Sequence, residues 1–313
     1  MSSLAVAPSL GSTSAAFDRR FGIEIEHSFA GQGKQRLAEV IRETGLNHWL
    51  SWKDEYDNAI IYDGTELELR SPILQGQQGL DEMRIIFDAI KANDGYVTLS
   101  DGFHVHHDAP EFVGNSDEAH RLRCLLVESW DNNQTVIDQF VHNSRWNHWA
   151  CPKTWANHGH LQQFKDEGKN GNFYMGEGAL NVDSLWKHGS IEFRQLEGTL
   201  EYELAEAWIK FGQAFIHSVI HRAEPMTASP DKFHLLRRIN APTRTCANYL
   251  TTKDPYATIP GSEYDEECYD CGYTNCRCNE PYCEQCDCYE ADCDCGGPCG
   301  CNECDYHSNC TCS

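Results

Sequence analysis

Four short stretches of this chain alternate strictly between apolar and ligand-type side chains, and that alternation limits what it can fold into. Side chains of a strand point to opposite faces in turn. In residues 21–26, Phe21, Ile23 and Ile25 therefore share one face while Glu24 and Glu26 share the other. In residues 65–70, Leu67 and Leu69 oppose Glu66, Glu68 and Arg70. Residues 103–107 set Phe103 and Val105 against His104 and His106, and residues 190–195 set Ile191 and Phe193 against Glu192 and Arg194. Each stretch is expected to be a strand with one buried face.

One such polar face alone reads as a solvated surface with cross-strand ion pairs. Together the four faces carry five Glu, two His and two Arg, without the Lys and Thr of an ordinary exposed sheet. If the strands are neighbours, the carboxylates repel one another unless cations lie between them. Glutamate oxygens with occasional imidazole suit Mg²⁺ or Mn²⁺. A metal-lined acidic sheet with a few arginines is what nucleotide-phosphate chemistry requires, because metal bridges phosphate oxygens and Arg neutralises the transferring group.

Apolar spacing of three and four predicts helices over 35–44, 80–92 and 116–141, and another after Thr199, where Leu200, Leu204, Trp208, Phe211, Phe215 and Val219 form one stripe. The Pro-, Thr- and Asn-rich residues 226–262, with one helix near 231–239, read as an extension that packs on the body or links onward. Residues 1–16 lack a basic segment and a long apolar run and read as a mobile leader. Glu201, Glu203 and Glu206 open a helix, where carboxylates favour the dipole. Cys151, with His148 and His158 nearby in sequence, reads as a packed thiol.

Composition separates the end of the chain from the rest. Of 17 cysteines in 313 residues, fourteen lie in the tail: Cys268, Cys271, Cys276, Cys278, Cys283, Cys286, Cys288, Cys293, Cys295, Cys299, Cys301, Cys304, Cys310 and Cys312. Residues 263–313 also hold thirteen acids against Arg277 alone, about half of the net charge of −23. With no Leu, Ile, Val, Phe, Met or Trp between its cysteines, this acidic tail cannot fold by burying a core. Dense C-x-C and C-x2-C pairs favour thiolate clusters holding Zn²⁺ or another soft metal, with disulfides and a reduced, disordered tail as the alternatives. The density resembles that of a metallothionein, though the acids replace its usual lysines. Such charge argues against nucleic acid as a partner. No run approaches the roughly 20 apolar residues of a membrane span, and the protein is expected in the cytoplasm.

A family resemblance gathers these features. FGIEIE from Phe21, ELRSP from Glu68, FHVHHD from Phe103, SRWNHW from Ser144, GALN from Gly178 and GSIEFRQLEGT from Gly189 resemble, in order, the pattern of the amidoligases, a family similar to glutamine synthetase and glutamate–cysteine ligase. The resemblance implies an α+β fold, a glutamine-synthetase-like antiparallel sheet with packed helices, over residues 17–225. It implies metal ligation by Glu24, Glu26, Glu68, Glu192 and His104. His106 and Arg194 are implied at the reacting phosphate beside Glu192, with one histidine of the pair on metal and the other on phosphate or substrate. Arg145, Asn147 and Asn181, with Arg194, are implied in nucleotide or substrate binding. Trp146 and Trp149 stand where the family has other aromatics, and Glu66 and Arg70 have no firm counterpart.

The implied activity is ATP-dependent ligation of a small-molecule or peptide carboxylate to an amine through an acyl phosphate, with ATP and Mg²⁺ or Mn²⁺. No protein nucleophile is needed. The tail would dock a protein partner, store metal or regulate. The alternative is a metal-binding or scaffold protein whose ligase-like body is inactive; the retained Glu, His and Arg faces argue against it, because such a surface is electrostatically costly.

Overall fold

The computed structural model describes residues 17–29, 33–51, 59–63, 66–146, 160–167, 169 and 178–252, together with the paired two-residue strands 282–283 and 288–289. The leader, Asn147, Trp149, Cys151 and all but four residues of the tail lie outside the described residues. The side chains of Glu66, Trp146, Cys283 and Cys288 do so as well.

In chain order the body runs β1 (Phe21–Phe29), α1 (Gly33–Thr44), β2 (Ile60–Asp63), β3 (Glu66–Arg70), α2 (Gly76–Ala92), β4 (Gly95–Tyr96) and β5 (Gly102–Asp108). It continues with α3 (Asp117–Ile137), α4 (His160–Glu167), β6 (Leu180–Asn181), α5 (Ser184–His188), β7 (Ser190–Glu197), α6 (Tyr202–Ile220), α7 (Lys232–Arg238) and α8 (Thr243–Leu250). One sheet has the order β2-β3-β1-β5-β7-β6, with β4 pairing the end of β1. All of these pairings are antiparallel. The architecture is α+β, an antiparallel sheet with packed helices. The four alternating stretches are strands β1, β3, β5 and β7, and they are contiguous in the order β3-β1-β5-β7.

The apolar faces of those strands point into the core. Ile23, Ile25, Leu67, Leu69, Phe103, Val105, Ile191 and Phe193 are all buried there. Helices α2, α3 and α6 cover this face: Phe87 meets Phe103 edge-on at 6.0 Å, Trp130 meets Phe193 at 5.2 Å, and Trp208 meets Phe193 at 6.5 Å between ring centroids. Fully burying such side chains contributes roughly 1.5–3 kcal/mol each. The starts predicted at Ser116 and near Asp231 are caps: Ser116 accepts from the Ala119 amide at 3.1 Å, and Asp231 accepts from the His234 amide at 2.7 Å. Residues 226–252 do not stand apart, since Met226, Leu235, Leu236, Ile239, Cys246 and Leu250 belong to the same core. Helix α8 was not expected from the sequence; its start follows Pro242, and its apolar anchors are few.

On the core side of β5 lies His107, fully buried against Phe193 at a ring-centroid distance of 5.3 Å. Neither of its ring nitrogens has a hydrogen-bond partner among the described residues. The ring sits so close to α6 that a Cβ on Gly212 would fall 2.4 Å from its Nε2. Burial, helped by the nearby Arg19 and His106 charges, pushes the His107 pKa down to about 3. The folded protein therefore keeps this ring neutral while the unfolded chain takes up a proton near the ordinary value of about 6.5. Stability is then fully present above that value and falls as pH drops below it, by about 1.4 kcal/mol per pH unit from this residue. Urea unfolding at stepwise lower pH should show the decline, and His107→Leu should reduce its slope, leaving the part due to His27, which burial likewise pushes down to about 4; a slope unchanged by that substitution would contradict the assignment.

Candidate active site

Antiparallel pairing dictates which polar side chains meet. Register places Glu24 opposite Arg70 on one side and His104 on the other, and Glu26 opposite Glu68. On the next strand His106 lies opposite Glu192, and Glu192 in turn opposite Asn181 of β6. The nine side chains from Glu24, Glu26, Glu68, Arg70, His104, His106, Asn181, Glu192 and Arg194 line one cleft of about 570 Å³.

Within it the charges interlock. Glu24 contacts His104 Nδ1 at 3.0 Å, His106 Nε2 at 3.4 Å and Arg70 Nε at 3.4 Å. Arg70 Nε also donates to Glu68 at 2.5 Å. Glu192 accepts from Arg194 at 2.6 Å and from the Asn181 amide at 2.7 Å, and lies 3.7 Å from His104 Nδ1. Glu26 accepts from the Gly102 amide and lies 3.6 Å from His104 Nε2.

Burial pushes the Glu24 carboxyl up, but hydrogen bonds and charge from His104 and His106 overcome it and hold the group well below the usual carboxylate range. Glu192 is likewise lowered: burial opposes ionisation, and the charges of His106, Arg194 and His104 prevail. His106 is raised, because Glu24 and Glu192 outweigh the effect of its burial. Glu68 goes the other way, raised by burial and by the Glu24 charge despite Arg70. The cleft thus holds ionised carboxylates beside one that resists ionisation, the condition a bound cation relieves.

A divalent ion fits this donor set. Ligand atoms of Glu24, His104 and Glu192 lie within 4.8 Å of one another. His106 Nε2 is buried and faces the same two carboxylates, 3.4 Å from a Glu24 oxygen and 3.8 Å from a Glu192 oxygen. Oxygen donors with one or two imidazoles match Mg²⁺ or Mn²⁺.

Arg145 takes a different place from the other expected site residues. It is buried beneath the sheet's polar layer and is not among the cleft-lining side chains. It donates to the carbonyls of Ser100 at 3.1 Å and Arg194 at 3.2 Å and approaches His104 Nε2 at 3.4 Å. The sequence reading missed Ser184, Lys187, His188 and Ser190, which line the cleft on α5 and the start of β7. The one signal was position, directly before the alternating run at Ile191.

Residues 18–216 match the family model described as "Putative amidoligase enzyme". The chain belongs to the amidoligase family. Among solved structures, it is similar to a bifunctional glutathione synthetase from Pasteurella multocida, with 10% identity and a TM-score of 0.40, over 75% of this chain and 41% of that one. It is also similar to a structure titled GmaS/ADP complex, with 12% identity and a TM-score of 0.39, over 75% of this chain and 66% of that one. A third, a novel glutamine synthase homolog, shows 13% identity and a TM-score of 0.40, over 76% of this chain and 64% of that one. The chain thus spans less than two thirds of the length of each of these proteins. No curated protein matches it by sequence. No helix among the described residues is long and apolar enough to cross a membrane.

The buried position of Arg145 separates two roles by measurement. As a support it should be needed for the fold: Arg145→Met is expected to cost about 2–4 kcal/mol in urea unfolding, since two carbonyls lose a charged donor. A variant of full stability with a raised KM for ATP would instead mark a nucleotide contact.

Proposed function

We propose that this amidoligase domain joins a carboxylate to an amine at the expense of ATP through an acyl phosphate. The observation that carries the reading is the convergence of Glu24, Glu26, Glu68, Glu192, His104, His106 and Arg194 in one cleft. Family membership supports the same class of reaction.

In this reading a substrate carboxylate oxygen attacks the γ-phosphorus of ATP, the bond to the β–γ bridging oxygen breaks and ADP leaves. The amine nitrogen then attacks the acyl carbon of the acyl phosphate, loses a proton to solvent and expels inorganic phosphate, leaving the amide. Glu24, Glu192 and His104 hold the divalent ion, with Glu26 and Glu68 next to them on the neighbouring positions of the sheet. Mg²⁺ or Mn²⁺ held there would supply the positive charge that offsets the phosphate oxygens during transfer. Arg194, fixed by its bond to Glu192, presents a guanidinium to the transferring phosphoryl group, and Asn181 holds the other Glu192 oxygen in place. His106 faces the same carboxylates from the adjoining strand and contacts phosphate or substrate. No cysteine, serine or lysine nucleophile is required; positioning and electrostatic stabilisation supply the rate. The carboxylates and amines accepted are small molecules or peptides.

Amine-dependent ADP release, measured across panels of amino acids, polyamines and peptides, tests the proposal. Glu192→Gln and Arg194→Ala should each lower turnover by about 10²–10³-fold with the fold intact, because neither side chain contributes to the apolar core. Excess EDTA should abolish ATP binding, since the carboxylates would then face the triphosphate directly. Full turnover in both variants, or undiminished ATP binding in EDTA, would overturn the site.

A further inference from the structure

A second polar group lines the edge of the same cleft, on residues that neither the metal nor the phosphate reading uses. Helix α5 is only five residues long and ends at Gly189, whose φ of +69° is the left-handed conformation that favours glycine at a helix C-terminus. The Gly189 amide closes the turn on the Leu185 carbonyl at 3.1 Å, and its own carbonyl accepts from Ala109 at 3.0 Å. This reversal folds Ser184, at the start of α5, over Ser190, at the start of β7. Their hydroxyl oxygens meet at 2.9 Å. Both side chains are buried, and both face His106: its Nδ1 lies 3.2 Å from Ser184 Oγ and 3.3 Å from Ser190 Oγ. The His188 ring stands edge-on to His106 at 6.1 Å.

We infer that Ser184 and Ser190 are paired positioning residues that fix the ring of His106, holding Nδ1 so that Nε2 is aimed between Glu24 and Glu192. This deepens the proposed ligase reading and rests on it for its consequence, though not for its geometry. A hydroxyl both donates and accepts, so two hydroxyls in contact always have one group able to complement Nδ1, whichever ring nitrogen carries the hydrogen. Nε2 stays 3.4 Å from a Glu24 oxygen and 3.8 Å from a Glu192 oxygen, with no other hydrogen-bond partner among the described residues. Partners of this kind, one bond removed from the reacting groups, typically carry 10- to 100-fold in affinity or activity.

The test uses the full chain. Long-range ¹H–¹⁵N spectra resolve imidazole tautomers, and comparison with His106→Gln assigns the His106 signals among the 15 histidines. The unaltered protein should show distinct Nδ1 and Nε2 resonances from a held ring, and Ser184→Ala with Ser190→Ala should average them. Unchanged resonances in the double variant would overturn the inference. Ser190→Thr and Ser190→Val have the same shape at a strand position that tolerates β-branching, so they separate the hydroxyl from mere packing. Made together with Ser184→Ala, so that residue 190 carries the remaining hydroxyl at Nδ1, Thr should keep the His106 signature and turnover within about twofold, while Val should lose the signature and lower kcat by about tenfold with little change in the KM for ATP. Equal behaviour of the two variants would overturn the inference. If the unaltered protein releases no ADP with any amine, the ligase reading fails while the spectra still decide the role of the serines.

Discussion

Repulsion among four carboxylates on one sheet face is the constraint around which the rest of the molecule is organised. Glu24, Glu26, Glu68 and Glu192 are brought side by side by antiparallel pairing, so the strands that make the fold also make the electrostatic problem. Two devices contain it. His104 and His106 stand between Glu24 and Glu192, and Arg70 and Arg194 each bind a carboxylate from the same face. What remains is a cleft whose carboxylate and imidazole ligand atoms lie close together, suited to a divalent cation.

The arrangement is held from below as well as across. Arg145 ties the Ser100 carbonyl, just before β5, to the Arg194 carbonyl of β7 behind His104. Under the opposite face, His107 is packed against Phe193 and the backbone of α6 at Gly212. The same β5 strand thus sends two histidines into a charged cleft and a third into the core, where burial keeps it neutral. Period-two geometry alone assigns these opposite fates to residues adjacent in sequence.

Much of this was legible before any coordinates. The alternation at 21–26, 65–70, 103–107 and 190–195 fixed which side chains are polar-facing, and the helical stripes at 35–44, 80–92, 116–141 and after Thr199 correspond to α1, α2, α3 and α6. Some elements were not legible: β6 and α5, of two and five residues, are too short for their period to repeat, and β2 and α8 carry too few apolar anchors to mark a face. The serines of α5 and β7 escaped for a related reason. Their chemistry arises from a turn at Gly189, and a lone serine carries no pattern.

What the sequence by itself determined is local: the facing of each side chain along a strand, the start of α3 at Ser116 and of α7 at Asp231, and the inability of residues 263–313 to bury an apolar core. These follow from backbone geometry and composition within a few residues. Only the tertiary structure decided the order β3-β1-β5-β7, which sets Glu24 between Arg70 and His104, the burial of Arg145 beneath the cleft, and the closure of Ser184 and Ser190 on His106. Those contacts join residues about 40 to 90 positions apart, except the two serines, which a six-residue turn brings together; each depends on strand register and on the packing of helices behind the sheet, which no stretch of sequence contains.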